Sequence, residues 1–311
     1  MPLPHLLTGI VPPIVTPLKS NDELDHAGVE RVIEHVISGG VHGIFALGTT
    51  GEAPSLSHRL RSEFIELVCE QVAGRVPVLV GITDTSFDES LEMAEHSADC
   101  GADAVVCAPP YYFPAGQDEL RNTFKRLIAR CPLPMFLYNM PSHCKLVFET
   151  GTVEALSEFE KVRGLKDSSG NMQYLHSLMP IAQRRSDFSL LVGPEELLAE
   201  SLFLGAHGGV SGGSNMRPQL YVETYNAAKA ENWTRVRELH THIMEVSASI
   251  YRTGYASSSY LRGVKCAMSL LGLCEDTLAE PFEPFSEKDR GQIAAGLKNL
   301  GWINDAAPSR R

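Results

Sequence analysis

Short apolar runs alternate along the chain with longer stretches in which apolar residues recur at helical spacing. Eight such runs span residues 9–18, 42–50, 76–83, 102–110, 133–141, 162–169, 188–194 and 207–215. Within each run the apolar residues are continuous rather than alternating with polar ones, which is typical of strands covered on both faces. The pattern therefore predicts eight buried strands, of which the glycine-rich last one gives the weakest signal.

The stretches between the runs have the pattern of amphipathic helices. Val29 and Ile33 share one face of the first stretch, and Leu60 and Phe64 share one face of the second. Ser57 precedes the second stretch and is a suitable N-cap. Eight strands, each followed by a helix at a spacing of roughly 30 residues, predict an α/β protein with a (β/α)8 barrel, the TIM-barrel fold.

The pattern changes after residue 216, where no further strand-like run occurs. Four helical stretches follow, at 217–230, 231–253, 258–273 and 286–300. The first would close the barrel, and the other three would form an appendage. Because no low-complexity linker divides the chain, we predict a barrel catalytic domain of residues 1–230 and a C-terminal helical extension of residues 231–311 packed on it.

Charge and cysteine content narrow the range of partners. The 311 residues carry a net charge of -11, from 27 basic and 38 acidic residues, which argues against nucleic acid or an anionic membrane surface as partner. No apolar run is long enough for a membrane span, and no signal-peptide pattern is present. The seven cysteines are irregularly spaced and typical of reduced thiols. We therefore expect a cytoplasmic protein that acts on small molecules.

Active sites of (β/α)8 barrels lie at the C-terminal ends of the strands. The residues at these predicted ends are Thr16, Thr49, Thr50, Thr83, Pro109, Tyr111, Tyr112, Tyr138, Lys166, Asp167, Gly193, Glu195, Ser211 and Asn215. His42 and His207 precede their strands, so His143 is the one rim histidine, and no metal site is predicted. A phosphate site in "SGGSN", residues 211–215, remains an alternative.

Lys166 is the sharpest chemical signal. A lysine at the end of a buried strand loses hydration, which disfavours its charged form. The neutral amine can attack a ketone to form a Schiff base, which then allows a carbon–carbon bond to break or form. Tyr138 ends the preceding strand, so it would lie beside Lys166 and could carry the protons that this chemistry moves. The alternatives are an ion pair of Lys166 with Asp167 and a tyrosine that merely packs.

Three motifs occur in order along the chain: "GTTGE" at 48–52, "YNMP" at 138–141 and "GLKDSSG" at 164–170. Together they resemble the dihydrodipicolinate synthase / N-acetylneuraminate lyase family of pyruvate-dependent class I aldolases, and the likeness covers the barrel. The resemblance implies a Schiff base between Lys166 and pyruvate or another 2-oxo acid. It implies Tyr138 as proton shuttle, Thr49 in the proton relay and Thr50 as the carboxylate-binding residue. It implies no cofactor.

The resemblance also extends to "PPYY" at 109–112. Tyr112 would reach across a subunit contact into a neighbour's proton relay, which implies a homo-oligomer, either a dimer or a tetramer. The catalytic residues that we predict are therefore Lys166, Tyr138, Thr49 and Tyr112. The predicted substrate-binding residues are Thr50, Gly48, His143, Gly193, Glu195, Glu196, Val210 and Ser211.

The branch of the family depends on the second substrate. The synthase branch carries an arginine where this chain has His143, and histidine binds a carboxylate less well. Glu195 and Glu196 match an acidic pair that holds sugar hydroxyls in the lyases. We therefore expect a lyase that cleaves a 2-oxo-3-deoxy sugar acid or N-acetylneuraminate to pyruvate and an aldehyde. The alternatives are 4-hydroxy-tetrahydrodipicolinate synthase, an imine-forming dehydratase or decarboxylase, and a barrel that binds a 2-oxo acid without turnover.

Overall fold

The structure is a computed structural model that describes residues 3–254, 256 and 258–304. Its strands are β1 (Gly9–Ile10), β2 (Leu18–Ser20), β3 (Glu23–Leu24), β4 (Ile44–Ala46), β5 (Val78–Gly81), β6 (Ala104–Cys107), β7 (Met135–Asn139), β8 (Val162–Asp167), β9 (Ser189–Val192) and β10 (Gly208–Gly209). Each of the eight predicted runs contains one barrel strand, including the glycine-rich last run. The short antiparallel hairpin of β2 and β3 is an addition that the pattern did not predict.

The eight barrel strands are parallel and pair in the order β1-β10-β9-β8-β7-β6-β5-β4. The chain just after β1 closes the ring against β4. Ile14 N donates to Phe45 O at 2.9 Å, and Phe45 N donates to Pro12 O at the same distance of 2.9 Å. The predicted (β/α)8 barrel is confirmed.

The helices surround the barrel and continue beyond it. They are α1 (His26–Ser38), α2 (His58–Val72), α3 (Phe87–Asp99), α4 (Gln117–Arg130), α5 (Pro141–Cys144), α6 (Thr150–Ser157), α7 (Met172–Arg184), α8 (Leu198–Phe203), α9 (Pro218–Lys229), α10 (Trp233–Val246), α11 (Ser259–Leu270) and α12 (Glu287–Asn299). A π-helical turn, Ser247–Tyr251, follows α10. Ser57 caps α2 as predicted, because its hydroxyl accepts from Leu60 N at 3.2 Å. No helix in the described part of the chain has the length and apolar character that a membrane crossing requires.

Strand alternation gives the barrel two apolar layers. Side chains such as Leu165 of β8 point outward into the core between the strands and the helices. Side chains such as Phe45 of β4 and Phe136 of β7 fill the barrel interior. Tyr138 lies on the same inward face as Phe136, two residues nearer the C-terminal rim. Lys166 likewise points inward near the C-terminal end of β8. The alternation therefore aims both predicted catalytic side chains into the mouth of the barrel.

The C-terminal helices share the outer core with the barrel. Val246, Ile250 and Val264 belong to the same apolar cluster as Ile44 of β4. The division into residues 1–230 and 231–311 stays a prediction, and its last seven residues, 305–311, lie outside the described part. The shared core nevertheless holds the C-terminal helices against the barrel, so that their side chains can contact the C-terminal rim of the barrel.

Candidate active site

Lys166 and Tyr138 are direct neighbours at the rim. The register of β7 and β8 pairs Tyr138 with Lys166. The Lys166 Nζ lies 4.2 Å from the centre of the Tyr138 ring and 5.0 Å from that of Phe45. Only 5% of Lys166 is exposed. The amine is thus largely removed from solvent and faces aromatic rings, which compensate for lost hydration only in part.

Asp167 is not the partner of Lys166. Its carboxylate lies on the opposite face of β8, where it accepts from Asn139 Nδ2 at 2.9 Å and from Ser169 N and Oγ at 3.1 Å and 3.0 Å. Burial raises the pKa of Asp167, and these donors oppose the shift. Asn139 also accepts from Phe148 N at 3.1 Å. Among the described residues Lys166 forms no ion pair, so its amine can react with a ligand in the cavity.

The "GTTGE" loop brings two hydroxyls to the same place. Thr49 Oγ1 lies 3.1 Å from the Tyr138 hydroxyl, within hydrogen-bond distance. The loop turns sharply, with left-handed backbone at Leu47 (φ 57°) and Glu52 (φ 58°). Gly81 makes this turn possible, because a Cβ there would lie 2.1 Å from the Leu47 carbonyl oxygen. The turn projects Thr49 and Thr50 over the barrel mouth.

Glu52, the last residue of the motif, anchors the loop to the extension. Its Oε1 pairs with Lys265 Nζ of α11 at 2.6 Å, and both side chains are 1% exposed. Its Oε2 accepts from Ala279 N at 2.9 Å, while Lys265 also donates to Thr277 O at 2.6 Å. Sequence analysis missed Lys265, although a lysine between Val264 and Cys266 in an apolar stretch was a usable signal.

A cavity of about 520 Å³ opens above the barrel mouth, a size that suits a small-molecule ligand. A second lobe of about 320 Å³ adjoins it, and Thr49, Tyr138 and His143 line both. The predicted site residues that line one lobe or the other are Gly48, Thr49, Thr50, Tyr138, His143, Lys166, Gly193, Glu195, Glu196 and Val210. The structure therefore brings ten of the twelve predicted residues together.

Two predicted residues lie elsewhere. Ser211 is fully buried behind the cavity wall, and its Oγ has no hydrogen-bond partner among the described residues. Tyr112 points away from the cavity of its own chain: it is 85% exposed, has left-handed backbone (φ 86°) and packs against Phe113, which is 78% exposed. The role of Tyr112 in a neighbouring subunit stays a prediction.

Glu195 lines the cavity as expected, but its carboxylate accepts hydrogen bonds from the protein itself. The hydroxyls of Tyr221 and Tyr251 donate to its Oε1, the latter at 2.6 Å, and Gly213 N donates to its Oε2 at 2.8 Å. Burial raises the pKa of Glu195 to about 7. Protein donors thus occupy the carboxylate that was expected to hold sugar hydroxyls. Glu196 accepts from Ser247 Oγ and also lines the cavity.

His143 is poorly suited to bind a carboxylate. Its Nδ1 lies 2.9 Å from Ser142 Oγ. Although the side chain is exposed, partial desolvation together with the nearby charge of Lys145 lowers the pKa of His143, so the imidazole is neutral at neutral pH. Apart from Lys166, no lysine or arginine among the described residues lines either lobe. The described lining of the cavity therefore contains one lysine, no arginine and a neutral histidine.

Two tyrosines of the C-terminal part complete the wall, and sequence analysis missed both. Tyr260 of α11 has its hydroxyl 3.0 Å from Thr50 Oγ1, and its ring packs edge-on against Tyr251 at 4.9 Å. Both residues line the larger lobe. No spacing or motif in the sequence indicated them, because amphipathic periodicity does not show which polar side chain meets a distant loop.

A barrel with a buried rim lysine, facing a cavity beside a tyrosine and two threonine hydroxyls, has the arrangement of a Schiff-base aldolase. Sequence comparison gives the family. The chain matches the model of the dihydrodipicolinate synthetase family over residues 6–300 and belongs to that family. Members of this family are lyases of the aldolase type that form a Schiff base with a lysine, so the protein is an enzyme of this kind.

Relatives and solved structures agree with this assignment. The chain is 33% identical over 304 residues to the 4-hydroxy-tetrahydrodipicolinate synthase of Bartonella bacilliformis, covering 96% of this chain and 100% of the relative. It resembles the structure of dihydrodipicolinate synthase from Bacteroides thetaiotaomicron with a TM-score of 0.93 and 53% identity, over 96% and 100% of the two chains. A prophage protein of the same family from Escherichia coli, solved with pyruvate, has a TM-score of 0.91 and 27% identity, with the same coverage of 96% and 100%.

Proposed function

We propose that this protein is a pyruvate-dependent aldolase in which Lys166 forms a Schiff base with the 2-oxo acid. One observation carries the proposal. The Lys166 amine is buried at the base of a rim cavity without an ion pair to any described residue, directly beside Tyr138, whose hydroxyl lies 3.1 Å from that of Thr49. Burying an amine without a carboxylate partner lowers stability, and groups placed at such a cost are concentrated at functional sites.

The reaction follows from the side chains in the cavity. The Lys166 amine attacks the ketone carbon, and one water leaves as the imine forms. Loss of a proton from the adjacent methyl group gives an enamine, whose carbon attacks an aldehyde while the aldehyde oxygen takes up a proton. Water then hydrolyses the resulting imine, which releases the product and restores the Lys166 amine. Cleavage runs through the same steps in reverse. Tyr138, paired with Thr49, would carry the protons, and Thr50 would bind the carboxylate through its hydroxyl. Gly48, Gly193 and Val210 would shape the floor.

The wider assignments belong to the same proposal. Tyr112 and Phe113 form an exposed aromatic pair on the loop after β6, which suits a contact between subunits of a homo-oligomer. Tyr112 would there complete a neighbour's relay. We also propose a cytoplasmic enzyme without cofactor, built from a catalytic barrel of residues 1–230 and a helical extension of residues 231–311.

For the aldehyde, the relatives favour 4-hydroxy-tetrahydrodipicolinate synthase over the sugar-acid lyase that sequence analysis placed first. A relative at 33% identity and a solved structure at 53% identity both carry the synthase name. The engagement of Glu195 by Tyr221 and Tyr251 also removes part of the support for a sugar acid. Condensation of pyruvate with aspartate semialdehyde is therefore the first reaction to test.

A neutral polyhydroxy aldehyde is the second candidate, and one observation favours it. Aspartate semialdehyde carries a carboxylate, yet among the described residues that line the cavity Lys166 is the one lysine or arginine, and His143 is neutral at neutral pH. A second anionic group would therefore lack a charged partner. A sugar-derived aldehyde needs no such partner.

Borohydride reduction in the presence of pyruvate, followed by peptide mass spectrometry, tests the proposal. We expect an adduct on Lys166 that is absent from Lys166→Arg and retained in Lys145→Arg, an exposed lysine near the same rim. Absence of any adduct in the folded wild type would overturn the aldolase proposal. Activity assays with aspartate semialdehyde, a 2-oxo-3-deoxy sugar acid and N-acetylneuraminate then choose the aldehyde. His143→Arg should raise activity only towards aspartate semialdehyde.

A further inference from the structure

Two adjacent glycines at the wall of the cavity, Gly212 and Gly213, each leave space for one tyrosine hydroxyl. A Cβ at Gly212 would lie 1.8 Å from the Tyr260 hydroxyl oxygen. A Cβ at Gly213 would lie 1.8 Å from the Tyr221 hydroxyl and 2.6 Å from the Glu195 carboxylate. Neither glycine has left-handed backbone, so the backbone does not require glycine here. The "SGGSN" stretch therefore leaves space for the hydroxyls of Tyr260 and Tyr221. In addition, Gly213 N donates a hydrogen bond to the Glu195 carboxylate.

From this arrangement we infer that Tyr260 is a positioning residue for the 2-oxo acid, acting through Thr50. The inference deepens the proposed function and rests on it. Tyr260 touches the loop that carries Thr50 from the opposite side of the cavity, with 3.0 Å between the two hydroxyl oxygens. Thr50 is the group assigned to the carboxylate, and its side chain is buried.

The direction of the hydrogen bonds gives Tyr260 its role. Burial raises the pKa of Tyr260, and the charge of Glu195 raises it further, so its hydroxyl keeps its proton at neutral pH. When Tyr260 donates to Thr50 Oγ1, the proton of Thr50 is directed to a carboxylate in the cavity. A hydroxyl that accepts one hydrogen bond becomes a better donor in the next. Tyr260 would thus both orient and polarise Thr50.

Glu195 fixes Tyr251, which in turn packs against Tyr260. It accepts from the Tyr251 hydroxyl at 2.6 Å, and the Tyr251 ring packs edge-on against Tyr260 at an angle of 66°. The Tyr221 hydroxyl donates a second hydrogen bond to the same carboxylate oxygen. Tyr221 therefore offers a control: its hydroxyl packs against Gly213 as that of Tyr260 packs against Gly212, but Tyr221 bonds to Glu195 instead of Thr50 and does not line the cavity.

The first experiment compares Tyr260→Phe with Tyr221→Phe. For Tyr260→Phe we expect the pyruvate concentration that gives half-maximal borohydride trapping to rise about threefold to tenfold, the range for loss of one hydrogen bond to an anion-binding group. The maximal trapping rate and Tm should stay close to wild type. Tyr221→Phe should leave the half-maximal concentration unchanged.

Two double variants distinguish positioning from packing. In a Thr50→Val background, Tyr260→Phe should have no further effect on the half-maximal pyruvate concentration, because the hydroxyl it acts through is gone. Gly212→Ala should raise that concentration by displacing Tyr260. Adding Tyr260→Phe should partly relieve the damage, since the nearest ring carbon lies 2.8 Å from the new Cβ instead of 1.8 Å for the oxygen.

The failure of the inference differs from the failure of the proposed function. An unchanged half-maximal concentration in Tyr260→Phe, with the wild type trapped normally, would overturn the role of Tyr260 alone. A rise in the half-maximal concentration that is accompanied by a clear fall in both the maximal rate and Tm would assign Tyr260 a purely structural role and also overturn the inference. No trapping in the wild type would remove the proposed function and this inference with it.

Discussion

Two lysines are buried in the described part of the chain, Lys265 and Lys166, and their surroundings differ. Lys265 is 1% exposed and satisfied on two sides, by the Glu52 carboxylate and the Thr277 carbonyl, each at 2.6 Å. Lys166 is 5% exposed and faces the rings of Tyr138 and Phe45 and an open cavity. Similar burial thus gives a lysine fixed in an ion pair in one place and, in the other, the amine that we propose as the nucleophile. What separates them is the presence of a carboxylate.

The largest effect is expected from removing the lysine that faces the cavity. Lys166→Met should abolish borohydride trapping and lower kcat/KM by about 10⁴-fold or more, as loss of a nucleophile does elsewhere. Its stability should equal or exceed that of the wild type, because a buried amine without a carboxylate partner gives way to an apolar chain of similar size. Trapping assays and urea unfolding measure both. A clearly destabilised Lys166→Met would mean that Lys166 also has a structural partner.

The paired lysine should give the opposite result. Lys265→Met leaves the buried Glu52 carboxylate without its cation and should lower the free energy of unfolding by about 3–5 kcal/mol. Trapping per folded molecule should persist. The double variant Glu52→Leu/Lys265→Met should regain most of the loss, because no buried charge remains unpaired. If Lys265→Met unfolds at the wild-type urea concentration, the ion pair contributes little and the contrast between the two lysines is lost.

The proton relay sharpens the contrast. Tyr138→Phe removes the hydroxyl beside Lys166 but keeps the ring that faces its amine, so turnover should fall about 100-fold or more while the pyruvate adduct still forms slowly. Thr49→Val should slow the same steps, and the double variant should be less than additive because the two hydroxyls act together. Stopped-flow trapping separates adduct formation from turnover. Strictly additive effects would argue against a shared relay.

Glu195 offers the smallest and most specific test, through pH. Burial raises its pKa from 4.5 to about 7, so between these values the folded state holds a proton that the unfolded state has lost. The contribution of this group to stability therefore falls as pH rises from about 5 to 7, by up to about 3 kcal/mol. Glu195→Gln should flatten that part of the stability curve. Urea unfolding at several pH values checks it, and parallel curves for the two proteins would contradict the assignment.

The site residues on the barrel strands could be predicted from the sequence, whereas those on the C-terminal helices could not. Continuous apolar runs mark each barrel strand, and parallel neighbours in a barrel follow chain order, so the hydrophobic pattern alone pairs Tyr138 with Lys166. The contact partners of Tyr260 and Lys265 could not be found in this way. Tyr260 and Lys265 lie on one helix far along the chain from the loop they contact, and Thr50 and Tyr260 are separated by 210 positions. Helical periodicity shows which face is buried but not what it meets.

Glu195 illustrates a second limit. Its position at the end of β9 was predictable, and it does line the cavity. Its role was not, because the two tyrosines that occupy its carboxylate come from α9 and from the π-helical turn after α10. Sequence position locates a carboxylate well, whereas its availability depends on donors supplied by the rest of the fold.

The anchoring of Glu52 has a consequence for the protein during its synthesis. The loop that carries Thr49 and Thr50 leaves the ribosome early, but its anchor at Ala279 follows 227 residues later. At about 5–20 residues per second this is a delay of about 10–45 seconds. A nascent chain that already contains every barrel strand still lacks Lys265 and Ala279, so its Glu52 has no anchor. The anchor of this loop therefore forms only after residues 265–279 have emerged, well after Lys166 itself.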